Sequence, residues 1–279
     1  LVATVSDLRE SLACVRREGK TIGLVPTMGA LHEGHLSLVR ASRAECGFTV
    51  VSIYVNPSQF GPQEDFARYP RTLEKDLGLL AGEADLVFSP QDAEVYPSGY
   101  ATWVEVGAVA EPLEGVCRPG HFRGVATIVL KLFSMVWPDA AYFGQKDYQQ
   151  AAVIRRMAVD LNLPLAIRVC PIVREADGLA ISSRNRYLSP EERRQATVLF
   201  KSLRLASQMV AQGHCDAAAI ADEMRRTILA AGPAQIDYIA IADTATLEPV
   251  QTIEGPAVAA LAVKIGNTRL IDNMILEPP

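Results

Sequence analysis

The 279 residues suit one large α/β domain with a smaller companion, because single hydrophobic cores rarely grow much past this size. Hydrophobic residues make up 49% and charged residues 21%, with no acidic or basic block, which excludes a solvating tail or a nucleic-acid arm. The net charge of −5 argues against broad phosphate-backbone binding, so no nucleic acid partner is expected, while a small anion held by a few local cations stays open.

The five cysteines (Cys14, Cys46, Cys117, Cys170, Cys215) are dispersed, with no C-x-x-C pair. They read as reduced thiols of a cytoplasmic protein. No apolar run approaches the roughly 18 residues of a membrane span, so no membrane partner is expected. Asp7, Arg9 and Glu10 stand where a signal peptide would need its apolar core.

Taken in chain order, residues 6–18 open with Ser6 and space Leu8, Leu12 and Val15 on one helical face. Residues 21–26 read as a buried strand ended by proline, 34–46 as a helix, and the near-continuously apolar 48–55 as a central parallel strand. Helices at 72–82, 123–136 and 147–161 then alternate with strands at 85–88, 140–144 and 165–169. This alternation predicts a Rossmann-like α/β fold: a mostly parallel sheet with helices on both faces, over residues 1–174. From 175 to 279 the pattern becomes two helices (190–211, 216–231) and then three strands (235–242, 257–265, 268–275). That order predicts a smaller α+β C-terminal domain, with the polar READGLAISSRNRYLSP as its entry.

The residues capable of chemistry gather after the predicted strand ends, where parallel sheets bind ligands. In P-T-M-G-A-L-H-E-G-H, His32 and His35 sit three apart at a helix start, beside unpaired backbone N–H groups that favour an anion. Such imidazoles can donate hydrogen bonds to a phosphate whose charge grows in the transition state. The spacing does not match the H-E-x-x-H zinc pattern.

His32-Glu33-Gly34-His35 resembles the H-x-G-H signature of nucleotidyl-transferring α/β proteins, which include the class I aminoacyl-tRNA synthetases. The segments V-P-T-M-G-A-L-H-E-G-H, Y-V-N-P-S-Q-F, R-Y-P-R-T, R-P-G-H-F-R-G-V, F-G-Q-K-D-Y-Q-Q, D-G-L-A-I-S-S-R-N and T-R-L-I-D-N resemble the pantothenate synthetase family, from about residue 20 to residue 274. The resemblance implies ATP-dependent joining of pantoate to β-alanine through a pantoyl adenylate, with Mg2+ and a homodimer.

By the same resemblance, Met28, Gly29, Ala30, Leu31, His32, Glu33, Gly34 and His35 form the first ATP-binding segment. Gly144, Gln145, Lys146 and Asp147 form the second, with Lys146 on a phosphate and Asp147 either on a ribose hydroxyl or capping the helix. Most members carry glutamate where this chain has Gln145, and no function is attached to that side chain. Val173 joins the ATP site, and Ile181, Ser182, Ser183 and Arg184 match the phosphate loop. The catalytic set is His35, His32, Lys146 and Arg184. Gln59 and Gln150 match pantoate-binding glutamines, with Gln59 also close to β-alanine. Asp76 is a magnesium or arginine partner, or simply a solvated helix carboxylate. His121 and Arg123 shape the cleft, and Met28, Phe60 and Phe143 form its walls.

Two rivals remain at this point. A nucleotidylyltransferase acting on a phosphorylated small molecule would share H-x-G-H but lack the paired glutamines. A non-catalytic nucleotide-binding regulator would have lost a histidine, Lys146 or Arg184, and all are present.

Overall fold

A computed structural model describes residues 1–62 and 64–279. Five strands form the first sheet: β1 (Ile22–Thr27), β2 (Phe48–Ile53), β3 (Leu86–Phe88), β4 (Ala140–Gly144) and β5 (Ala166–Cys170). They lie in the order β3-β2-β1-β4-β5 and every pair is parallel. Their apolar runs follow from burial on both faces. Ile22 and Leu24 of β1 point into one core with α1 (Val5–Arg17), α6 (His121–Val136) and α7 (Tyr148–Asp160). Val25 points into the opposite core with α2 (Glu33–Glu45) and α3 (Leu73–Leu80). One-turn helices α4 (Asp92–Val95) and α5 (Glu114–Cys117) interrupt the long connection between β3 and α6.

The predicted elements all form, with ends shifted by one or two residues. At the first helix the shift has a visible cause. Thr4, not Ser6, is the N-cap, since its hydroxyl accepts the Asp7 N–H at 3.1 Å and satisfies a free donor of the first turn.

Past residue 174 the chain builds a separate antiparallel sheet in the order β6-β7-β8, from β6 (Gln235–Asp243), β7 (Ala257–Ile265) and β8 (Thr268–Leu276). Helices α8 (Pro190–Ala211) and α9 (Ala217–Ala230) cover one face. Ser189 and Glu192 cap the start of α8 reciprocally, at 3.3 and 2.8 Å, with Pro190 in its first turn. Strand β7 is apolar except for Lys264 because both its faces are covered. Ala259, Leu261 and Val263 meet α8 and α9, whereas Val258 and Ala260 meet Phe122 and Val153 of the first unit.

Polar contacts fasten the same junction. Arg174 forks onto Asp272 at 2.6 and 2.9 Å. Arg269 forks onto the buried Glu114 with both bonds at 2.8 Å, and the Tyr238 hydroxyl donates to the same carboxylate at 2.8 Å. The second unit is thereby held over the carboxyl edge of the parallel sheet.

Candidate active site

Strand order reverses between β1 and β4, and the crevice beyond their carboxyl ends is where such sheets bind ligands. A cavity of about 230 Å³ lies there. Its lining includes Met28, His32, Gly34 and His35 after β1, Gln59 after β2, and Gly144, Lys146, Asp147 and Gln150 after β4. Val173 and residues Ile181–Arg184 close it from the far side. Segments far apart in sequence are thus brought to one wall. Met28, Phe60 and Phe143 are part of it as expected, and α6 adds an apolar side through Val125, Val129 and Leu132.

The turn after β1 is built by a buried carboxylate. Asp76, 1% exposed, accepts the N–H groups of Ala30 at 2.9 Å and Leu31 at 2.8 Å, and the Thr72 hydroxyl lies 3.2 and 3.3 Å from its two oxygens. Gly29 (φ +77°) allows this turn, since a Cβ there would strain the backbone and come within 3.0 Å of Asp76. Asp76 thus holds the loop, its two oxygens each accepting from a backbone donor. The Ala30 and Leu31 N–H groups are engaged by it, and Gly29, Ala30 and Leu31 do not line the cavity. Among the described residues, no group of three His, Cys, Asp or Glu side chains could hold a metal ion.

His32 precedes α2 and His35 lies in its first turn, with ring centroids 4.1 Å apart. The His32 backbone N–H donates to His35 Nδ1 at 3.3 Å. A neutral His35 ring that accepts at Nδ1 carries its proton on Nε2. Burial, with His32 and Lys146 nearby, depresses the His35 pKa to about 3. Burial and the neighbouring Lys146 take His32 down to about 4. Both rings are therefore neutral at pH 7 and act through N–H donors, not through charge. The buried His32 Nδ1 has no hydrogen-bond partner among the described residues. The Glu33 side chain, by contrast, is exposed and pairs with Arg40 on the surface of α2.

After β2, Asn56 organises the Gln59 side chain. Its Nδ2 donates to Gln59 Oε1 at 3.0 Å and to Gly124 O at 3.2 Å, while its Oδ1 accepts from Tyr96 at 2.8 Å. Gly124 is required because a Cβ there would meet Ser58 O at 2.3 Å. Asn56 lies inside the quoted Y-V-N-P-S-Q-F segment, so its presence was readable, but its role depends on contacts 40 and 68 residues away.

After β4, Asn273 of the second unit donates to the carbonyls of Gln145 and Lys146, both at 2.9 Å. The Gln145 side chain turns to Asn273 at 3.2 Å and lines no part of the cavity. Ile181 N–H donates to Val173 O at 3.0 Å, tying the Ile181–Arg184 loop to the exit of β5. Arg184 forks onto Asp65 at 2.9 and 3.1 Å, a partner that sequence reasoning missed. Of the cleft-shaping pair, His121 lines the cavity, whereas Arg123 stacks over Trp103 at 4.8 Å and does not.

Sheet order and cleft define a Rossmann-like α/β protein with a ligand-sized crevice at its switch point, flanked by a second unit. The profile of the Pantoate-beta-alanine ligase family matches residues 1–275. The pantothenate synthetase of Moorella thermoacetica is 56% identical over 278 residues, covering 99% of this chain and 98% of its own. A crystal structure of pantothenate synthetase from Thermus thermophilus matches with a TM-score of 0.94 at 46% identity, covering 99% of each chain. Pantoate-beta-alanine ligase from Francisella tularensis, solved with beta-gamma ATP and beta-alanine, matches at 0.79 and 33%, covering 98% of this chain and 96% of its own. The chain belongs to the pantoate–β-alanine ligase family.

Proposed function

We propose that this enzyme joins pantoate to β-alanine through a pantoyl adenylate, releasing AMP and pyrophosphate. The observation that carries the reading is the shared cavity, where His32, His35 and Lys146 face Gln59, Gln150 and the Ser182–Arg184 loop. A carboxylate is a poor electrophile until it has a better leaving group. One pantoate oxygen attacks the α-phosphorus and the bond to pyrophosphate breaks. The free amine of β-alanine then attacks the acyl carbon, and AMP departs with that carboxylate oxygen.

In this reading the His35 Nε2–H and His32 donate to the α-phosphate as charge builds there, and Lys146 and Arg184 neutralise the departing pyrophosphate. Met28, Gly34, Gly144, Asp147, Val173 and Ile181 shape the nucleotide site. Ser182 and Ser183 supply hydroxyl donors. Gln59 and Gln150 hold the hydroxyls and carboxylate of pantoate. Magnesium would arrive with ATP and would offset charge on its phosphates, since among the described residues no group of three His, Cys, Asp or Glu side chains is built to hold it. The protein divides at residues 174 and 175 into a catalytic and a lid-bearing domain, supported by the separate cores and by the Arg174–Asp272 pair. A homodimer follows the family pattern. Five free cysteines support a reducing, cytoplasmic setting, and among the described residues no helix is long and apolar enough to cross a membrane.

Pantoate labelled with oxygen-18 in its carboxylate tests the mechanism. Label in AMP is expected. Label in inorganic phosphate would indicate an acyl-phosphate route, and AMP retained in the product would indicate nucleotidyl transfer to a second molecule.

A further inference from the structure

The backbone of Gln59 is held as tightly as its side chain, and by a different residue. His121 Nδ1 lies 2.9 Å from Gln59 O, and its Nε2 lies 3.0 Å from Arg118 Nη1. A carbonyl oxygen only accepts and a guanidinium only donates, so these two contacts admit one arrangement: Nδ1 carries the proton and Nε2 offers its lone pair. Arg118 is itself fixed, since Nε and Nη2 fork onto Glu64 at 2.8 and 2.6 Å. His121 is 8% exposed and Gln59 9%, so water offers little substitute for the bond.

With Gln59 Oε1 taken by Asn56 and Gln59 O by His121, the side-chain NH2 is the group left to donate into the cavity. We propose that His121 is a positioning residue for the acid substrate: locked by Arg118 as the Nδ1–H tautomer, it grips Gln59 O and so aims the Gln59 amide N–H2 at pantoate. Glu64 completes the chain by orienting Arg118. The device needs no proton transfer, and its effect falls on the acid rather than on ATP, because neither His121 contact touches the phosphate segments. It rests on the reading that Gln59 holds pantoate.

Two substitutions of similar bulk separate positioning from filling space. In His121→Asn the side-chain NH2 can stand where Nδ1–H stood. In His121→Gln the amide reaches the Nε2 position and leaves Gln59 O with only the long 3.5 Å contact from Arg118 Nη2. Steady-state kinetics should give His121→Gln a pantoate KM raised about tenfold, the loss expected of one well-placed hydrogen bond, with the ATP KM unchanged. His121→Asn should stay within about threefold of the parent enzyme. Equal behaviour of the two, or parallel losses for ATP and pantoate, overturns the proposal. Nitrogen-15 NMR of the unsubstituted protein checks it without any variant: a protonated Nδ1 and bare Nε2 are expected at neutral pH, and the opposite tautomer or an imidazolium would refute it. Gln59→Ala run alongside keeps the two ideas apart. If it leaves the pantoate KM unchanged, the underlying reading of Gln59 falls; if it raises that KM while His121→Gln does not, the positioning role alone falls.

Discussion

Arg184, in the loop matched to polyphosphate binding, is already bound in a bidentate pair to Asp65, in the segment that follows β2. Asp65 carries a carboxyl held below its usual pKa by the Arg184 guanidinium, although burial alone would raise it. A phosphate entering the cleft must share or displace this partner, so the pair sets how the loop rests before ATP arrives. Asp65→Asn weakens it by removing the charge while keeping the shape. Hydrogen exchange across residues 181–187 should then quicken in the ligand-free protein, and ATP with pantoate should restore protection. Unchanged exchange in the free variant would mean that the loop rests on other contacts.

His35→Ala should slow adenylate formation by roughly 10²–10³ while changing ATP affinity little. The reason is that a neutral Nε2–H at a helix start meets its best partner only when charge has moved onto the phosphate. Single-turnover kinetics separate the two effects. A matching loss in ATP affinity would make His35 a ground-state binding group.

Gln59→Ala and Gln150→Ala should raise the pantoate requirement about tenfold and leave ATP titrations nearly unchanged, the size of one lost polar contact each. Asn56→Ala should resemble Gln59→Ala, because Asn56 orients the Gln59 amide. Calorimetry with pantoate and with ATP decides it, and equal losses for both ligands would sink the assignment.

Asp76→Ala should destabilise the fold by about 3 kcal/mol, since it strips a charged acceptor from two buried backbone donors. The loss should be the same with and without magnesium in urea unfolding experiments. A loss seen only when magnesium is present would return Asp76 to the metal.

Acid should weaken the protein through three histidines, His121 buried and His32 and His35 half-buried. His32 and His121 fall to about 4 and His35 to about 3, mainly by burial, against an ordinary value near 6.5. Below pH 6.5 the unfolded chain binds protons that the folded chain refuses, so stability falls as pH falls, continuing toward pH 4. Each group contributes up to about 1.4 kcal/mol per pH unit across that window. Urea midpoints at pH 7 and pH 5 measure the drop, and His121→Asn should make it smaller. A flat profile would place these rings in water.

The elements were legible in the sequence because their signals are local. Leu8, Leu12 and Val15 repeat at helical spacing, and FTVVSI is largely apolar and β-branched, as a strand buried on both faces must be. Segments such as P-T-M-G-A-L-H-E-G-H and F-G-Q-K-D-Y-Q-Q also marked the strand exits that line the cavity, since glycine, histidine and lysine there have few structural uses in combination. What each residue does there was settled by partners distant in the chain. Asp76 looks like any helix carboxylate until Ala30 and Leu31, 46 and 45 residues away, are seen to donate to it. Gln145 faces Asn273 and Arg184 faces Asp65, across 128 and 119 residues. Hydrogen bonds have directions and a reach of about 3 Å. Residue order carries propensity and periodicity, but which donor meets which acceptor depends on how two sheets are docked, and only the tertiary structure decides that.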